Sequence, residues 1–131
     1  MIKKITHIVT ILLLLIVLPL SSCYEVKRDC KAFKTGHFHS KITLENRVLE
    51  SNFIRYDTLQ VEFFNGKIDS SSVRWINDCE MIFKTINPKN RAEKKDIHIK
   101  ILSTTETGYS FEYGYVGTTS KQKGVATSNL D

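Results

Sequence analysis

Three cysteines, Cys23, Cys30 and Cys79, and two histidines, His37 and His39, are the side chains of this 131-residue chain whose type and spacing first suggest chemistry. Imidazoles two residues apart project from one face of a strand, which is one way to offer nitrogen to a metal. Phe38 between them is the apolar residue, so on an amphipathic strand the histidines face water, and no third ligand stands near them in sequence. His98, flanked by Ile97 and Ile99, carries the same outward expectation. Carboxylates are scattered singly, without the close pair that glycoside hydrolysis requires. The run Ser70-Ser71-Ser72 lacks the glycines of a nucleophile elbow. The expectation is therefore no enzyme, no metal and no cofactor; an enzyme would need a cleft that gathers His37, His39 or His98 with a carboxylate.

Cys23 belongs to a different kind of chemistry. Met1-Ile2-Lys3-Lys4 is a cationic start, an apolar run extends from Ile8 to Leu20, and small residues precede the cysteine, as a secretory signal requires. A membrane span needs about 20 apolar residues, whereas Thr6, His7 and Thr10 interrupt this segment and Pro19 breaks a helix near its end. Leu20-Ser21-Ser22-Cys23 resembles the lipobox of bacterial lipoproteins. That resemblance implies cleavage before Cys23 and acyl chains, palmitate among them, on its thioether and amine. The domain expectation is a lipoprotein signal peptide over residues 1–22, an anchor and linker over 23–31, and one β domain over 32–128. The chain would be held at the membrane through lipidated Cys23, in the cell envelope. Tyr24-Glu25-Val26 offers no acidic cluster of the surface-export type, so a periplasm-facing leaflet is preferred to the cell surface.

With Cys23 assigned to lipid, Cys30 and Cys79 remain, and an even pair in an oxidising compartment reads most simply as one disulfide. Two buried free thiols are the alternative. Without Lys3 and Lys4, the 19 basic residues become 17 against 14 acidic ones, a net charge of +3 rather than +5. So mild a basicity selects no partner. The basic stretch Lys84, Lys89, Arg91, Lys94, Lys95 and Lys100 is diluted by Glu93 and Asp96 and reads as a solvated loop. Nucleic acid is not expected as a partner; an envelope protein, a glycan or an apolar small molecule is.

The elements that must position these residues are strands. Leu59, Val61 and Phe63 alternate with polar residues, and Asn65-Gly66 then suits a type I′ turn, so a hairpin is predicted with its second arm from about Lys67 to Ile76. Val73 and Trp75 share a face of that arm. Asn77-Asp78 is a turn, and Cys79, Met81 and Phe83 alternate along the next strand. Asn87 to Lys95 reads as a loop in which Asn87 and Pro88 could start one helical turn. Ile97, Ile99 and Ile101 pair through Thr105–Gly108 with Phe111, Tyr113 and Tyr115. Three weaker strands are expected upstream, over Ala32–Ser40, Lys41–Asn46 and Leu49–Tyr56, and an edge strand over Lys121–Thr127. Seven or eight short strands joined by tight turns predict a mainly β antiparallel meander, a curved sheet or small up-and-down, lipocalin-like barrel with at most one short helix.

With Cys30, Phe33-Lys34-Thr35-Gly36, the stretch Ser72 to Glu80 and the run Asn87 to Lys95 in view, the mature chain resembles a family of small flavobacterial-type lipoproteins. Some members carry the label DNA topoisomerase IV. Strand passage needs a nucleophilic tyrosine in a DNA gate, metal-binding carboxylates and an ATPase, and a leader sends this chain away from DNA. The family implies an envelope address and brings no catalytic residue with it.

Two functions fit. The first is binding or scaffolding at the membrane surface by a non-enzymatic lipoprotein. The second is a small lipocalin-like carrier of an apolar ligand, lined by Phe63, Trp75, Phe83, Phe111, Tyr113 and Tyr115, although so small a domain needs these same rings for its core. A continuous apolar cavity on the order of 300 Å³ or more favours the carrier, and a filled interior the scaffold.

Overall fold

The computed structural model describes residues 1–16 and 27–129, so the lipobox expectation at Leu20 to Cys23 falls outside the described residues. The chain begins with a helix, α1 (Ile2–Ile16). Among the described residues no helix is long and apolar enough to cross a membrane. A 3₁₀ helix over Cys30–Phe33 is followed by eight strands, β1 (Gly36–Leu44), β2 (Arg47–Arg55), β3 (Leu59–Phe64), β4 (Lys67–Asn77), β5 (Glu80–Thr85), β6 (Ile97–Thr104), β7 (Gly108–Tyr115) and β8 (Gln122–Ser128). Each pairs antiparallel with the next, and β8 returns to pair with β1, closing an up-and-down barrel.

The predicted hairpin turn is present: Asn65 and Gly66 have φ of 48° and 73°, the two positive angles of a type I′ turn. Two expectations need correction, and the segment read as a loop is indeed a loop. The C-terminal strand is no edge, since β8 hydrogen-bonds on both sides and leaves the barrel without the exposed ladder that invites aggregation. The upstream region holds two strands rather than three, because nothing between Ser40 and Lys41 turns the chain and β1 runs through to the bend at Glu45 and Asn46. No helix forms at Pro88. Asn87 adopts the left-handed φ of 56°, and side chains take over the local backbone groups: Lys89 N–H donates to Glu93 Oε2 at 2.7 Å and Glu93 N–H to Asn90 Oδ1 at 2.9 Å.

One end of the barrel is sealed. The 3₁₀ helix lies across it, with Cys30 and Phe33 buried and Cys30 disulfide-bonded to Cys79 in the β4–β5 turn at a Cα separation of 5.2 Å. Arg28 Nη1 donates to the Ile101 carbonyl at 2.8 Å, and Asp29 N–H to Thr104 Oγ1 at 2.9 Å. The opposite end is framed by the β1–β2 and β3–β4 turns and by the longer connections over residues 86–96 and 116–121.

Candidate functional site

Strand alternation sends every second side chain into the barrel. Phe38, Phe53, Val73, Met81, Phe83, Ile101, Tyr109, Phe111 and Ala126 are the buried apolar residues of that interior. Near the sealed end Phe38 stacks on Phe53 with centroids 5.0 Å apart, and Tyr109 lies 5.3 Å from Phe33. Above this layer packing does not continue to the mouth. A cavity of about 250 Å³ remains, walled by Ile42, Phe53, Phe83, Ile97, Ile99, Phe111 and Tyr113, with Ser40, Arg55, Gln60, Glu62 and Tyr109 as its polar groups. A second depression of about 290 Å³, against Tyr115, Thr118 and Gln122, shares Ile97 and Tyr113 with it.

Arg55 is the unexpected occupant. It ends β2 pointing inward and is 2% exposed. Its Nε donates to Gln60 Oε1 at 2.9 Å, Nη1 to the Phe33 carbonyl of the 3₁₀ helix at 3.2 Å, and Nη2 to the Tyr109 hydroxyl at 2.9 Å. Five rings surround the guanidinium, Phe53 at 5.0 Å, Phe38 at 5.5 Å, Phe83 and Tyr109 at 5.8 Å and Trp75 at 5.9 Å. Cation–π attraction and three neutral acceptors thus hold a full positive charge in the buried interior. Among the described residues no carboxylate lies within 4.0 Å of it. Burial pushes the Tyr109 phenol above its ordinary value, outweighing the opposing pull of Arg55. Burial likewise raises Tyr113, helped by the charges of Glu62 and Tyr115.

Of the aromatic residues expected to line a ligand site, Phe83, Phe111 and Tyr113 do so. Trp75 packs instead at the sealed end, its ring 5.1 Å from Lys34 Nζ and its buried Nε1 without a hydrogen-bond partner among the described residues. Tyr115 sits at the rim, against the second depression. Phe63 is corrected outright. The pairing of Phe53 with Glu62 and of Arg55 with Gln60 turns Gln60 and Glu62 inward, so Leu59, Val61 and Phe63 share the outer face and Phe63 is 41% exposed. Cys23 lies outside the described residues.

The histidines stand apart on the outer wall. His39 Nδ1 is 3.1 Å from Asn52 Oδ1, and His98 Nε2 is 2.8 Å from Glu80 Oε2. Among the described residues no group of three histidine, cysteine or acidic side chains could hold a metal.

No protein-family model, curated protein or solved structure matches the chain.

Proposed function

We propose that this chain is a non-enzymatic, lipid-anchored envelope protein whose barrel binds a small apolar ligand. The observation that carries the proposal is the incomplete filling of the barrel: Ile97, Ile99, Phe83 and Phe111 present apolar surface to a shared space rather than to one another. At about 250 Å³ that space is somewhat below the 300 Å³ expected of a carrier, so the occupant is small. An apolar cavity of about 150 Å³ already accepts benzene. The anchor follows from the leader and from Cys23, and nucleic acid has no place in this reading. Because the chain enters the barrel at its sealed end, a lipid on Cys23, seven residues before Cys30, tethers that end within roughly 25 Å of the bilayer.

Titration of the full chain in phospholipid nanodiscs with 1-octanol, followed by the methyl resonances of its isoleucines, tests the binding proposal. Ile42, Ile97 and Ile99 should shift saturably while Ile68 and Ile76 on the outside stay in place. Equal shifts inside and outside, or none inside up to the solubility of octanol, would refute it. The anchor is tested separately by membrane fractionation of Cys23→Ser, which should move to the soluble fraction.

A further inference from the structure

We infer that the ligand is a monocarboxylate with a short apolar body, its head group set against Arg55. This rests on the proposal that the barrel interior is a binding site and names the chemical class that the site selects. The argument begins with an imbalance of charge. A guanidinium has five N–H donors, and Arg55 uses three on neutral acceptors, leaving one hydrogen on each Nη without an acceptor among the described residues. Buried charges are ordinarily paired, because an ion removed from water is costly without a counter-charge. Here no carboxylate of the described residues lies within 4.0 Å of the guanidinium, yet Arg55 borders the cavity. A planar carboxylate is the partner whose geometry suits a guanidinium fork.

The rest of the cavity sets the body and limits the charge. At about 30 Å³ for a water-sized group, the volume holds roughly eight such groups, and the walls beyond Arg55 are Phe53, Phe83, Ile99 and Phe111. Glu62 is the next inward residue of β3 after Gln60, about 7 Å nearer the mouth. Its carboxylate opposes a second anionic group in the same space, so a dicarboxylate is disfavoured. The mouth favours anions overall: Arg47, Lys67 and Lys84 stand exposed at strand ends beside it and Lys94 and Lys95 on the 86–96 connection, against Glu45, Glu93 and Asp96. Basic residues around an opening raise the local concentration of an anionic ligand and speed its entry.

The test compares four eight-carbon probes on the full chain in nanodiscs near pH 7, reading the same cavity methyls and referring each Kd to the free aqueous concentration. Octanoate should bind at least tenfold more tightly than 1-octanol, and octylamine and octanedioate more weakly than octanoate by a similar factor. Equal affinity for octanoate and octanol would overturn the head-group assignment while leaving the apolar site standing. Binding of none of the four would overturn both. Tighter binding of octylamine would assign the recognition to Glu62 instead and refute the carboxylate. Arg55→Gln should bring octanoate to the level of octanol. Should that variant fail to fold, Glu62→Gln serves, with octanedioate expected to gain at least fivefold on octanoate; no gain would count against the charge limit, and the wild-type series still decides the head group.

Discussion

Arg55 at the end of β2 and Tyr109 at the start of β7 meet inside the barrel, the guanidinium Nη2 donating to the phenol oxygen at 2.9 Å. These strands share no ladder, so the bond is a strut across the interior rather than part of the wall. It is also one of three contacts that tie a buried cation to the 3₁₀ plug, through Phe33, and to β3, through Gln60. Fold and site are therefore the same structure at this end of the molecule. Whatever disturbs the strut disturbs the floor of the cavity.

Tyr109→Phe keeps the ring and removes the acceptor. Hydrogen bonds to charged groups contribute about 1.5–3 kcal/mol, and a buried donor left without a partner bears its own desolvation cost. A loss of about 1–3 kcal/mol in urea unfolding is expected. A variant as stable as the parent would show that the guanidinium has no need of that hydroxyl.

The disulfide between Cys30 and Cys79 spans 49 residues of sequence, and it fastens the plug to the β4–β5 turn. The chain-entropy model assigns about 4 kcal/mol to a loop of this length. Cys30→Ala with Cys79→Ala should therefore lower Tm by roughly 10–20 °C in a domain of this size. Calorimetry checks this, and a fall of only a degree or two would mean that the Arg28, Asp29 and Arg55 contacts hold the plug unaided.

The antiparallel meander was legible because its local signals agree with one another, whereas its closure through β8 onto β1 was not. Asn65-Gly66 fixes one hairpin, Ile97, Ile99 and Ile101 mark an inward face, and Cys30 and Cys79 form the expected disulfide. The cavity floor was not legible, for a reason visible in β3. There the apolar residues Leu59, Val61 and Phe63 lie outside and the polar Gln60 and Glu62 inside, so hydrophobic alternation, used alone, turns the strand over. Only the register across the loop from Arg55 to Gln60 reveals it, and a register is a property of two strands rather than of one. Arg55 itself follows Phe53 at the inward spacing, but a lone arginine at a strand end ordinarily reaches water.

Ser40 and Ser51 offer a cleaner measure of interior polarity. Their hydroxyls meet at 2.8 Å between β1 and β2, both residues buried. Replacing either by alanine leaves the other hydroxyl without its partner and should cost about 1 kcal/mol, whereas replacing both removes donor and acceptor together and should be close to neutral. A double-mutant cycle by chemical denaturation reads the coupling; strictly additive losses would mean that the two hydroxyls do not depend on each other.

The last expectation concerns acid. On the outer wall Glu80 Oε2 lies 2.8 Å from His98 Nε2, between β5 and β6. Hydrogen bonding from His98 is the largest influence holding the Glu80 carboxyl below its ordinary value of 4.5; Asn77 and the charges of His98 and Lys100 act in the same direction, and burial opposes them. A carboxyl with a lowered folded-state value binds its proton more readily when the chain is unfolded. Its contribution is therefore present in full above about pH 5 and is lost as the pH falls through 4.5 and below. Because the pair is partly open to solvent, the contribution is modest, about 0.5–1 kcal/mol at low salt. The parent chain should exceed Glu80→Gln in stability by that amount at pH 6, and the gap should narrow as the pH falls below 4.5. Asp78 and Glu50, whose carboxyls Lys34 and Lys41 also lower, titrate in both chains and cancel from the difference. A gap that persists unchanged to pH 3 would assign the effect of the substitution to packing and not to charge.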